Sequence, residues 1–235
     1  MRNAMLFYII VPLFFGAISY IASENFIVMG VTLTISLVYF LLFFMKRHQK
    51  YKISVSRFKS CYTFINSFII SLSIKLTIPA ALESTLISID SEAKGEFEGI
   101  GHLSDNEKLD YLKKYYHFHT YELFLNIVSI YDERGGNILD LSTYLLNESR
   151  NQHEYLIRCE SMGVKKWIEL SVLWFLSLAI MVILRFALSQ FFSLISKQLV
   201  YHISIVGVFV LALVSIEVLA RKSFSLELKG WGNKR

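Results

Sequence analysis

The sequence predicts an all-α integral membrane protein with about four transmembrane helices and a helical-bundle domain between them. Three observations predict it. Hydrophobic residues make up 54% of the chain and charged residues only 18%, against about 25% charged in an ordinary soluble domain. That much apolar surface exceeds what one soluble core can bury, so part of it must face lipid. Four apolar runs, residues 5–22, 26–45, 167–188 and 199–219, each reach roughly 27–33 Å as helices, which fits a hydrocarbon core of about 30 Å. The region between the second and third runs repeats its apolar residues with a helical period, and Pro12 and Pro79 are the chain's only prolines, so helices meet few breaks.

The first run holds Pro12, which neighbouring helices make tolerable by satisfying the freed carbonyl. The run is longer than a signal-peptide apolar core, and a second run follows after Ser23, Glu24 and Asn25. It is read as a retained span. Lys46, Arg47, Lys50 and Lys52 follow the second run, Lys165 and Lys166 precede the third, and Arg221, Lys222 and Lys229 follow the fourth. The connecting segments on the opposite side carry only Glu24 and Lys197 as charges. The positive-inside rule then places both termini and the central region in the cytoplasm. The expected organisation is an N-terminal hairpin over 1–45, a cytoplasmic domain over 46–166, a C-terminal hairpin over 167–220 and a tail over 221–235. The net charge of +5 lies beside the apolar runs, as membrane proteins place it, and no nucleic-acid partner is expected.

Within the central domain, Phe58, Cys61, Tyr62, Ile65, Phe68, Ile69 and Leu72 mark one face of a first helix. Pro79 suits the first turn of a second helix carrying Leu82, Leu86 and Ile89. Residues 91–103 hold three glycines and three glutamates and read as a loop. Ser104 and Glu107 form a capping box for the next helix. Tyr121, Phe124, Leu125, Val128 and Tyr131 mark another buried face. Gly135 then suits a left-handed helix stop, Gly136 a tight reversal, and Asn137 the cap of a following antiparallel helix with Asp140 at its third position.

Signs of catalysis are absent from the pattern. There is no Gly-x-x-x-x-Gly-Lys phosphate loop, so the chain is not expected to be a motor ATPase by that route. His117 and His119 point to different sides of a helix, which argues against a shared metal. Cys61 and Cys159 make no metal or redox spacing. No cofactor, metal or enzymatic activity is expected. Arg185 and Glu217 interrupt apolar runs. Arg185 is near a span end, where it can snorkel, and Glu217 is one turn before Arg221, with which it can pair.

The middle region resembles the F domain of type II secretion and type IV pilus platform proteins. The resemblance rests on the corner from Leu76 through Pro79 to Glu83, on the turn from Glu133 through Gly135, Gly136 and Asn137 to Leu139, and on a polar helix over 147–161 that runs directly into a span. Two spans, one such domain and two more spans resemble the Tad (Flp) pilus assembly platforms; other platforms usually carry two F domains. This implies a non-catalytic inner-membrane platform that oligomerises with itself or a paralogous subunit. It also implies engagement of a hexameric cytoplasmic secretion ATPase and transmission of its motion to pilin subunits. Asp132, Glu133 and Arg134 are the expected ATPase-facing charges, with the 91–103 loop beside them. The alternative is a small transporter or channel component. It would need mid-membrane polar residues lining a path, and Thr32, Thr34, Ser36, Ser171 and Ser177 are the main ones on offer. A membrane enzyme is a third reading that no residue group supports.

Overall fold

A computed structural model describes the backbone of residues 2–75, 77–88, 93–95, 99 and 103–229, with side chains throughout these except at 2–7, 88, 191 and 225–229. Every regular element among the described residues is helical. In chain order these are α1 (Arg2–Ser23), α2 (Phe26–Tyr39), a π-helical segment (Phe40–Phe44), α3 (Met45–Lys75), α4 (Ile78–Ser88), α5 (Asp105–Tyr116), α6 (His119–Arg134), α7 (Ile138–Ala187), α8 (Ser189–Ile195) and α9 (Leu199–Lys229). Three stretches are long and apolar enough to cross a membrane: Phe26–Lys75, Ile138–Ala187 and Leu199–Phe224. The chain is thus a membrane protein by the length and composition of its helices. The first two stretches run for 50 residues of helix each, the first from apolar into polar sequence through the π-helical segment and the second from polar into apolar sequence.

The chain forms two compact units. The first comprises Met1–Lys50 and Ser161–Ser225. Its α1–α2 hairpin closes on small and hydroxyl side chains, with Ser19, Ser23, Thr32 and Ser36 all buried. A β-carbon on Gly16 would sit 3.0 Å from Leu33 Cδ1, so the two helices approach closely here and a larger residue would require Leu33 to shift. Without a strong hydrophobic drive between helices in lipid, such close backbone packing holds them together. Asn25 caps α2 by accepting from the Ile27 amide at 2.9 Å. On α9, Phe209 packs on Phe15 with ring centroids 5.5 Å apart. The span portion of α7 keeps most of its apolar side chains exposed, as lipid contact allows, while Leu178 is buried.

The second unit is centred on Tyr51–Glu160. Its core gathers Phe64, Ile65, Phe68, Ile69 and Leu72 from α3 with Leu112 and Tyr116 from α5, Tyr121 and Phe124 from α6, and Leu145 from α7. The α3 face follows the predicted spacing, except that Tyr62 sits at the rim and Phe64, outside the predicted set, is fully buried. Phe64 touches the rings of Phe68, Tyr116, Tyr121 and Phe124. Truncating such a ring to alanine typically costs roughly 3–5 kcal/mol. The Tyr121 hydroxyl donates to the Leu109 carbonyl at 2.9 Å, so its polar end is satisfied inside the core.

Pro79 lies in the first turn of α4, where a missing amide costs nothing. Leu82 and Leu86 pack into the core, while Ile89 lies outside the described residues. Ser104 and Glu107 cap α5 reciprocally, as the sequence predicts. Of residues 91–103, expected to be loop, 93–95 are helical and Ala93 is buried in the core. Most of the remainder lies outside the described residues. The last helix, α9, continues beyond the fourth apolar run into the expected tail as far as Lys229.

Candidate functional site

The most concentrated polar cluster of the first unit surrounds Glu217. Both oxygens of this carboxylate are engaged. Oε2 accepts from the Tyr39 hydroxyl at 2.8 Å. Oε1 accepts from Arg47 Nη1 at 2.7 Å and from Arg221 Nε at 2.6 Å. A carboxylate at the end of an apolar helix demands such partners, because lipid supplies none. The Arg221 contact follows from the i, i+4 spacing. Tyr39 and Arg47 were missed by sequence reasoning, since they come from a distant helix and no local spacing links them to Glu217. Beside this cluster, the Tyr8 hydroxyl is hydrogen-bonded to His48 Nδ1, and the His48 ring packs near Phe44 and Phe224.

A second polar contact closes the opposite end of the spans. Arg185 pairs with Glu24, the residue that turns the chain between α1 and α2 at φ 51°. The Arg185 side chain is only 16% exposed, so it does not snorkel freely as its position suggests. Its guanidinium also lies over the Phe192 ring at 5.2 Å. The Tyr201 hydroxyl donates to the Ala22 carbonyl at 2.9 Å. The hydroxyls of Thr32, Thr34, Ser36, Ser171 and Ser177 each donate to a carbonyl one turn back on their own helix. Their donor protons are therefore spent within the helix rather than offered to a path.

In the second unit, α6 ends at Gly135, whose amide donates to the Tyr131 carbonyl at 2.8 Å. Its φ is 67° and its ψ −158°. The positive φ is the expected one, but the conformation is not left-handed helical. That ψ directs the chain outward into the reversal instead of continuing a helical turn, and essentially only glycine adopts it. Gly136 follows at φ 109°. Asn137 then caps α7, its Oδ1 accepting from the Leu139 amide at 3.0 Å and its carbonyl from Leu141. Thr120, near the start of α6, bonds Gln152 on α7 at 2.6 Å, so the two arms run antiparallel. Asp132, Glu133 and Arg134 are all exposed beside this turn. Asn106 Nδ2 lies 3.5 Å from Asp132, and the Ser129 hydroxyl 3.3 Å from Glu133.

Elsewhere in this unit, the His153 ring stacks face to face on Tyr62, with centroids 4.2 Å apart. Lys59 pairs with Glu160 at 3.0 Å. Burial, and then the Lys59 charge, hold the imidazole below its ordinary range. Burial pushes the Cys61 thiol well up, which makes it unreactive. Cys61 and Cys159 are both free thiols. No group of three or more His, Cys, Asp or Glu side chains able to hold a metal occurs among the described residues. No family model matches this chain, and neither a curated protein nor a solved structure matches it.

Proposed function

We propose that this protein is the inner-membrane platform of a Tad-like or type IV pilus, or of a type II-like secretion apparatus. In this reading it has four spans, α1 being the fourth, and both termini and the second unit lie in the cytoplasm. It is a non-catalytic part that couples a hexameric secretion ATPase to pilin subunits, and it assembles with itself or with a paralogous subunit.

One observation carries the reading. Phe26–Lys75 and Ile138–Ala187 are each 50 residues of helix, apolar over one part and polar over another, with no linker where the character changes. A continuous helix passes on a rotation or a displacement, whereas a Gly/Ser linker would absorb it. The resemblance of the turn around Gly135 and of the Pro79 corner to the F domain supports the same reading. So does the siting of lysine and arginine at one end of each span.

The test is genetic. Deleting the gene abolishes pilus assembly or secretion, and a plasmid copy restores it. Unchanged assembly in a strain with no paralogue overturns the proposal. Labelling gives the orientation. Asn25→Cys and Ser196→Cys react with an impermeant maleimide on intact cells, and Arg150→Cys reacts only after lysis. Labelling of Arg150→Cys from outside removes any contact with a cytoplasmic ATPase.

A further inference from the structure

The π-helical segment Phe40–Phe44 lies between the two residues of its helix that hold Glu217. The Met45 amide donates to the Phe40 carbonyl, the five-residue step that defines the π turn. Tyr39 and Arg47, its flanking neighbours, both bond Glu217. In a regular α-helix, residues eight apart end about 80° apart around the axis. A π turn advances more slowly, at about 82° per residue, and over this segment it brings Tyr39 and Arg47 within roughly 10° of one face.

We propose that residues 40–44 form a register switch, held in the π state by the Tyr39–Glu217–Arg47 clasp. The π geometry is intrinsically the weaker one, which is why it persists only where surrounding contacts favour it. Here those contacts are charge-assisted bonds to a single carboxylate. Relaxation of the segment to α geometry turns the helix beyond Phe44 by roughly a quarter turn. Arg47 then leaves Glu217, while Tyr39, on the near side, keeps its place. His48 swings away from Phe224 in the same motion. The two states differ in their contacts to Glu217, which is the condition for a real switch. This inference stands apart from the platform reading and holds for any function of the chain.

The segment contains one residue more than an α-helix needs. Leu42, in its middle, is 54% exposed. Removing it turns the segment into plain α-helix and leaves Tyr39 and Arg47 seven residues apart, about 20° from one another and still facing Glu217. That deletion locks the register without removing the clasp.

The experiment uses the full-length protein in membranes, with Cys61→Ala and Cys159→Ser to remove the native thiols. His48→Cys and Phe224→Cys are introduced where the two rings lie 5.9 Å apart, and joined with a short bifunctional methanethiosulfonate. The crosslink forms with Glu217 present. Glu217→Gln lowers its yield fivefold or more, because the freed segment relaxes and carries position 48 away. Glu217→Gln combined with deletion of Leu42 restores the yield, because no extra residue remains to relax. An undiminished crosslink in Glu217→Gln overturns the switch. Failure of the Leu42 deletion to restore it also overturns the switch, since the loss is then one of fold and not of register.

Discussion

Arg47 and Glu217 are 170 positions apart in the chain and 2.7 Å apart in space. The contact ties the end of the second apolar stretch to the end of the last one. Arg221 shares the same carboxylate oxygen at 2.6 Å but is 70% exposed, while Glu217 is only 19% exposed. The arginine next to Glu217 in sequence is thus the solvated partner, and the distant one is the more enclosed.

That asymmetry predicts an order of effects. Glu217→Ala strands a half-buried guanidinium and a phenol, and lowers stability by about 1–3 kcal/mol. Arg47→Ala has the next largest effect. Arg221→Ala has the smallest, since water replaces an exposed pair readily. Thermal unfolding of the detergent-solubilised protein ranks the three. An Arg221 effect equal to that of Glu217 contradicts the assignment.

Gly135 gives a second prediction. A β-carbon there would meet nothing within 4 Å, so any cost of substitution comes from the backbone alone. Gly135→Ala costs about 1–3 kcal/mol. Gly135→Asn does not recover it, because asparagine tolerates left-handed helical geometry but not a ψ of −158°. Melting temperatures of the two variants decide the matter. A native-like asparagine variant would mean that the residue is an ordinary left-handed helix stop.

The limits of sequence reading follow from which interactions are local. The Ser104–Glu107 box, the Asn137 cap and the Pro79 turn each lie within four residues, so spacing reveals them. The core face of α3 is legible because a 3.6-residue period survives along it. Arg47 is one of several cations after an apolar run, and only tertiary packing selects it for Glu217. The π segment is hidden because Phe40–Phe44 is apolar throughout, so an inserted residue leaves no trace in the hydrophobic pattern. Arg185 illustrates the same limit, since its partner Glu24 sits in a turn 161 positions away.

His153 predicts a pH dependence. Burial, then Lys59, lowers its folded affinity for a proton, and Glu160 and Glu154 offset this only in part. The unfolded chain, with an ordinary imidazole near about 6.5, binds more protons in the window just below that value. Stability therefore falls as pH drops from about 6.5 toward the lower folded value, and is full above it. His153→Phe keeps the stack on Tyr62 and removes this part of the slope. Melting temperatures between neutral and mildly acidic pH measure it. An unchanged slope in the variant assigns the effect to other groups.

The last prediction concerns Asp132, Glu133 and Arg134. These charges flank the turn between α6 and α7, and the core is built without them. The contacts of Asp132 and Glu133 to Asn106 and Ser129 are long, at 3.5 and 3.3 Å, and exposed. Their replacement therefore leaves the fold intact, as exposed charges usually do. If this turn faces a secretion ATPase, reversing its sign places like charges across the interface, which is costly. Asp132→Lys combined with Glu133→Lys then reduces pilus assembly or secretion and weakens co-purification with the ATPase, while protein level and membrane insertion stay normal. The single variant Arg134→Ala separates steering from contact. Loss of a rim charge changes association rate and salt dependence more than affinity, so its co-purification recovers at low ionic strength. Normal assembly in the double variant, at normal protein level, removes this turn from the proposed interface.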